Sequence, residues 1–208
     1  LVNVLAVDQT DNELRLDVER HEYWLGKVRL PSVTQALSVI ESFDHIPADV
    51  LERARLFGRH CHTMIDLFNK GELDEETLDP ELALYLAQYK RFLFETNLEV
   101  TQSEERVCSR SLGYAGTLDI RGILGVRVRR YSLIDLKSGA VPRSVGPQTA
   151  AYQQACNEKP PRRYALQLAR DRFKLIPCED PSDFSNFLSA LNVYRFQRRS
   201  FSHVAERG

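Results

Sequence analysis

Three residues near the middle of the chain have the types and spacing to do chemistry together. They are Asp119, in the segment GYAGTLDIRG, and Asp135 and Lys137, in the segment YSLIDLKSG. In an extended strand successive side chains alternate faces, so Asp135 and Lys137 point the same way while Ser132, Ile134 and Leu136 point the other. Charged groups on a core-side face are costly unless they are paired or bind a metal. If the two segments form an antiparallel hairpin, Asp119 approaches Asp135 across it. Two carboxylates held close repel unless a cation lies between them, and hard oxygen ligands suit Mg²⁺ or Mn²⁺. A lysine beside such an ion could orient or deprotonate water, or stabilise charge growing on a phosphate. Hydrolysis of a phosphodiester uses all of these functions. Taken alone, the Asp135/Lys137 pair fits an ordinary strand ion pair equally well.

Two further groups fall near these three. Gln148 and Tyr152 are four residues apart in a helix expected from Pro147 to about Asn157, and so share one face just past the Asp135/Lys137 strand. The helix amides and Gln148 could face a phosphate or hold Lys137; an amphipathic helix with Tyr152 in the core is the plainer reading. Upstream, in GRHCHTMID, Gly58, His62 and Asp66 recur at intervals of four on a long helix. His62 could offer an imidazole to a metal, with His60 as a competing candidate and a structural histidine as the alternative.

The elements that must position these residues are legible from periodicity. Residues 14–30 alternate weakly and suggest a hairpin turning near Gly26. Ser32 followed by Gln35 forms a capping box that opens a helix with Val33, Ala36, Leu37 and Ile40 on one face. A long helix is expected over about 47–69, stopping before Gly71. Asp79-Pro80 starts another, with the stripe Leu82, Tyr85, Leu86, Tyr89, Phe92 and Leu93, which is core packing. The period then changes, and 99–109, 113–124 and 130–137 read as three strands with Gly113 and Gly125 at the turns. A hairpin follows at 163–168 and 173–176. Asp180-Pro181 is expected to cap a last helix burying Phe184, Phe187, Leu188, Leu191 and Tyr194, with a frayed tail after Phe201. The order of helices and strands is that of an α/β fold with a mixed sheet flanked by helices.

Composition narrows the setting. With 208 residues, 43% hydrophobic and 27% charged, the chain has the material of one soluble domain. No apolar run reaches the roughly 20 residues of a membrane span. The first residues lack a basic segment with a cleavage site, so no signal peptide and a cytoplasmic location are expected. Cys61, Cys108, Cys156 and Cys178 stand far apart without a CxxC pair, and are read as reduced, small hydrophobic side chains. Net charge is −1, but residues 66–105 carry 11 acidic against 3 basic residues while arginines collect elsewhere, as at Arg127, Arg129 and Arg130. Such a local basic face suffices for phosphate contacts; surface solvation is the plainer reading of any one cluster.

The ordered set Gly58-x3-His62, Gly113-Tyr114-x-Gly116-Thr117-x-Asp119, Ile134-Asp135-x-Lys137-x-Gly139 and Gln148-x3-Tyr152 resembles the RecB-like branch of the PD-(D/E)XK nuclease superfamily. It is similar above all to stand-alone exonucleases of phages and prophages. The motifs cover about half of the chain, and the N-terminal His21-x-Tyr23 and PSVTQ segments resemble the opening of such proteins. The resemblance implies a restriction-endonuclease-like αβββαβ core with an N-terminal helical extension: one domain over 1–208, with hairpin and helix at 1–45 and the nuclease core at 46–200. It implies that Asp119 and Asp135 are the metal-binding acids, Lys137 the catalytic lysine, His62 a further metal ligand, and Gln148 and Tyr152 supports of the active site and DNA. Glu105 sits where relatives often place an acidic residue, either supporting the metal or as a surface ion-pair partner.

It also implies one or two Mg²⁺ or Mn²⁺ ions and DNA, single- or double-stranded, as substrate. A single-strand annealing or binding protein is the companion expected. No C-terminal cysteine cluster is present for an iron–sulfur cluster, and no GxxxxGK[ST] loop for a nucleotide. The activity implied is metal-dependent DNA exonuclease in phage recombination, repair or replication. A structure-specific endonuclease on the same core and a catalytically silent DNA-binding module are the alternatives. Oligomeric state is open.

Overall fold

The computed structural model describes residues 13–42, 46–156 and 162–198. The first strands are β1 (Leu14–Asp17), β2 (Glu22–Leu25) and β3 (Val28–Leu30), joined as an antiparallel sheet in the order β1-β2-β3. The expected hairpin near Gly26 is therefore part of a three-stranded unit. Gly26 takes a φ of 57°, the left-handed conformation such a turn requires. Ser32 then opens α1 (Val33–Leu37) with a reciprocal cap, its Oγ accepting from the Gln35 amide at 3.0 Å and its own amide donating to Gln35 Oε1 at 3.1 Å. Val33, Ala36 and Leu37 are buried as expected, but Ile40 is 54% exposed. The helix ends at Leu37, so the helical period no longer governs where Ile40 points.

The long helix α2 (Ala48–Lys70) ends at Gly71, whose φ of 72° closes it with a left-handed cap. The next helix, α3 (Pro80–Thr96), begins at Asp79, which accepts from the Glu81 amide at 2.8 Å, and has Pro80 in its first turn. Its Tyr85, Leu86, Tyr89 and Phe92 pack with Cys61, Met64 and Ile65 of α2 in one core cluster under the sheet. Burying a ring such as that of Phe92 contributes on the order of 2–3 kcal/mol.

The main sheet has the order β4-β5-β6-β7-β8, formed by β4 (Glu99–Ser109), β5 (Tyr114–Leu124), β6 (Arg130–Lys137), β7 (Arg162–Leu168) and β8 (Phe173–Pro177). Neighbouring strands are antiparallel except β6 and β7, which run parallel. A parallel pair needs a crossover, and α4 (Val145–Ala155) supplies it. The last helix, α5 (Asp183–Gln197), starts later than the Asp180-Pro181 cap implied, with Ser182 at its N-cap. Asp180 instead organises the turn ahead of the helix, its Oδ1 accepting from the Ser182 amide at 2.8 Å and hydroxyl at 2.7 Å. Phe187, Leu191 and Tyr194 of α5 are buried, and Phe184 and Leu188 pack against the same core.

The result is a mixed five-stranded sheet between two helical layers. Helices α2 and α3 cover one side, and α1, α4 and α5 the other. The α-β-β-β-α-β order is present from α3 to β7. Among the described residues no helix is long and apolar enough to cross a membrane. The frayed tail expected after Phe201 lies outside those residues.

Candidate active site

The backbone makes room for the site by breaking its own ladders. Strands β5 and β6 pair from Leu124↔Arg130 to Ile120↔Ile134 and then stop, one residue before Asp119 would face Asp135. Asp119 fills the gap: its Oδ2 accepts from the Leu136 amide at 2.6 Å, so a side chain takes over a bond that a strand carbonyl would have made. On the other side of β5, the β4 pairing runs through Ser103↔Ile120 and Glu105↔Leu118 but skips the position between them. There Glu104 adopts a φ of 50°, a conformation uncommon for a residue other than glycine. The local irregularity also resets alternation in β5. Leu118 packs toward α1, α4 and α5, whereas Ile120, two residues on, packs toward α2 and α3; in a regular strand the two would share a face.

Helix α2 brings His62 over this opening. His62 Nδ1 lies 3.3 Å from Asp119 Oδ1 and 3.6 Å from Glu104 Oε1. One ligand atom each from His62, Glu104 and Asp119 fall within 4.8 Å of one another, the spread a single cation can hold. His60 is exposed on the same helix, outside this group. One turn beyond, Asp66 pairs with Lys70 at 2.6 Å. Gly58, one turn before His62, brings α2 close to the end of β6; a Cβ there would stand 3.6 Å from Ser138 Oγ.

Asp135 and Lys137 share a face as the alternation requires. Lys137 Nζ is 2.7 Å from Asp135 Oδ2 and donates to Gln148 Oε1 at 3.2 Å. Gln148 in turn donates from Nε2 to the Tyr152 hydroxyl at 3.5 Å. Helix α4 is buried on almost every side, and this chain of polar groups satisfies its buried Gln148. Tyr152 needs a residue without a side chain beneath it: a Cβ on Gly116 would come within 2.6 Å of its ring. Tyr114 donates to the Ala151 carbonyl at 2.9 Å, and Thr117 shares a 2.8 Å hydrogen bond with Tyr23 of β2. Tyr114, Gly116, Thr117 and Asp119, four of the five positions of this segment that carry the resemblance, thus each have a neighbour in or beside the site.

The electrostatics of the group follow from burial and crowding. Burial opposes charge on His62, but Asp119 and Glu104 outweigh it and push its pKa up to about 10. Burial likewise opposes ionisation of Asp119, yet His62, Lys137 and the Leu136 amide hold it below the ordinary carboxylate value. Asp135 goes the other way: burial, aided by the charge of Asp119, raises it to about 6 against the pull of Lys137. Burial disfavours the Lys137 charge, but Asp135 and Asp119 overcome it, so the amine is held above its usual value. A protonated lysine can donate and stabilise negative charge; it is not poised to take up a proton.

The donor set fits a hard divalent ion. Carboxylate oxygens of Glu104 and Asp119 and one imidazole nitrogen of His62 converge; Asp135 is not in that group, but it is 1% exposed and its Oδ1 has no hydrogen-bond partner among the described residues. A buried carboxylate oxygen without a donor is expensive unless something else satisfies it. Glu105, by contrast, lies 2.8 Å from Arg121 and is not among the carboxylates gathered at His62. Its neighbour Glu104 is there instead, a residue that alternation from a regular strand could not select. The signal in the sequence was only the doublet Glu104-Glu105; which of the two turns inward depends on the irregular backbone at that point.

No protein-family model matches the chain, and no curated protein matches it. Solved structures similar to it include an alkaline exonuclease, LHK-Exo, from Laribacter hongkongensis. That likeness has a TM-score of 0.40 and 11% identity, over 80% of this chain and 86% of that one. The same exonuclease in complex with dAMP gives a TM-score of 0.40 and 13% identity, over 81% and 87%. A structure of SSO0001 gives 0.34 and 13%, over 57% of this chain and 59% of that one.

Proposed function

We propose that the protein is a metal-dependent deoxyribonuclease that hydrolyses phosphodiester bonds, acting as an exonuclease in phage or prophage DNA recombination, repair or replication. One observation carries the reading. Where the β5 and β6 ladder opens, Asp119 meets His62 and Glu104, and the buried Asp135 with its partner Lys137 stands on the neighbouring strand. The ordered motifs and their resemblance to RecB-like nucleases support it.

Asp119, Asp135, Glu104 and His62 are the residues that would hold Mg²⁺ or Mn²⁺, and the ion would supply Lewis-acid stabilisation of charge on the phosphate and acidify water. The roles of the chain's own residues follow from their contacts. Lys137, kept protonated between two acids, places a fixed positive charge beside the site where the pentavalent phosphate gathers negative charge. Asp135 and Gln148 hold that amine from two sides, which limits the positions it can take. Asp119 both faces the ion site and locks the Leu136 amide, so the strands cannot close over the gap.

A linear duplex and a covalently closed, nick-free circle of the same DNA, each incubated with Mg²⁺ or Mn²⁺, test the exonuclease reading. The linear molecule is expected to be consumed and the circle left intact. Cutting of the circle would replace the exonuclease with an endonuclease on the same centre, and no cutting of either would overturn the nuclease reading.

A further inference from the structure

The open edge of the main sheet carries a second set of groups suited to phosphate. Strand β4 is the outermost strand at that edge, and a cleft of about 690 Å³ runs along residues 105–111, closed on its other side by the end of α4. Its charged lining is Arg106, Arg110 and Arg121 against the single acid Glu105, and that acid already lies 2.8 Å from Arg121. Ser111 and Gln154 add neutral donors. Arg106 is exposed and makes no ion pair among the described residues. This excess of positive charge is notable because the stretch just before it is the acidic part of the chain, with 11 acidic and 3 basic residues over 66–105.

Arg106 lies two residues along β4 from Glu104, and its register partner in β5 is Thr117, two residues from Asp119. Arg106 and Arg121 are therefore each two residues along a strand from a member of the candidate metal centre, Glu104 and Asp119, and Arg110 lies farther along β4. From Arg106 to Arg110 is about 13 Å at the rise of a strand, a length over which each arginine can meet a different phosphate of one strand. Cationic grooves that follow a backbone in this way bind single strands without reading their sequence.

We propose that the cleft along β4 is a track for the phosphodiester backbone of one nucleic-acid strand, with Arg106 and Arg110 as its contacts, feeding that strand to the centre at Asp119. The proposal rests on the nuclease reading for its purpose but is tested without cleavage. A fluorescein-labelled oligothymidylate is titrated in EDTA with the wild type and with an Arg106→Gln/Arg110→Gln double variant, over a series of salt concentrations.

Each arginine that no longer neutralises a phosphate should flatten the dependence of log affinity on log salt by roughly 0.7. The double variant is expected to bind about tenfold more weakly, with a slope lower by roughly 1.4. An Arg106→Lys/Arg110→Lys variant, which keeps the charges, should restore most of the slope. Arg172→Gln, in the turn before β8 at the opposite edge of the sheet, should leave slope and affinity unchanged. Thermal melting of each variant verifies folding.

Failure of the wild type to bind, or an unchanged slope in the glutamine variant, would overturn the track. A wild type that binds, with the slope reduced in the glutamine variant as expected, yet cuts no DNA with Mn²⁺, would overturn the nuclease reading and leave the track standing.

Discussion

At the scale of single residues, the candidate centre is a balance between protons and a cation. His62 stands between Asp119 and Glu104, which push its pKa up to about 10, so a cation bound there would compete with the proton on His62. A histidine whose folded-state pKa is raised contributes stability in full below its ordinary value near 6.5, and loses it as pH climbs through about 10. Asp135 must also be ionised to bind a metal, which its raised pKa of about 6 allows only above that pH. Both effects have the same sign: metal affinity rises with pH, and binding releases a proton. Mn²⁺ is expected to raise the melting temperature more at about pH 8 than at about pH 5.5; equal shifts would contradict this balance. Lys137→Ala removes a charge without removing a metal ligand. It is expected to lower the cleavage rate roughly 10²–10³-fold, with Mn²⁺ binding by calorimetry nearly unchanged, and a fully active variant would remove Lys137 from the mechanism.

At the scale of elements, the site exists because two strand ladders open around Asp119. That opening predicts a difference between adjacent residues. Glu104→Gln should weaken Mn²⁺ binding in calorimetry, while Glu105→Gln should leave it unchanged; the reverse order would place β4 in the wrong register. The packing of β5 against α4 makes a second prediction. Gly116→Ala puts a methyl group 2.6 Å from the Tyr152 ring, so Tyr152 and the Gln148 it supports must shift. Overpacking of this kind costs about 1–3 kcal/mol, to be read as a lower melting temperature with reduced cleavage. The elements themselves were legible in the sequence because their signals are local. Ser32/Gln35, Asp79-Pro80 and Gly71 end or begin helices where their caps require, and alternation set Asp135 and Lys137 on one face. What alternation missed lies where the strand is irregular. Ile120 changes sides relative to Leu118, and Glu104 turns to His62 while Glu105, named only by the resemblance, pairs with Arg121, because a left-handed residue in mid-strand leaves no mark on the hydrophobic pattern. Ile40 lies three residues past the end of α1 and Asp180 three residues before the start of α5.

At the scale of the molecule, a buried ion pair joins three elements around the helix that supports Lys137. Arg163 of β7 donates to Asp183 of α5 at 2.9 Å and to the Gly146 carbonyl of α4 at 3.0 Å, and all three meet where a Cβ on Gly146 would strike Asp183 at 2.3 Å. Nothing in the sequence marked this junction, since Arg163 and Asp183 stand far apart and each alone reads as a surface charge. Removing one member of a buried pair costs about 3–5 kcal/mol. Arg163→Met and Asp183→Leu should each lower the denaturation midpoint strongly, and the double variant should recover much of the loss; additive losses would show that the pair does not act as a unit. The order of elements was legible as helices, three strands, a helix, a hairpin and a last helix. The pairing order, with β4 at an open edge and β6 beside β7, required the structure, because strand order depends on contacts between distant segments. The carboxylates at the opened ladder are proposed to hold a metal that serves DNA cleavage. The most direct measurement follows end-labelled single- and double-stranded DNA over time with wild type and Asp119→Asn, in Mn²⁺ and in EDTA. Shortened labelled products are expected only with wild type and Mn²⁺. Intact DNA in that reaction, or equal cutting by Asp119→Asn, would contradict the claim.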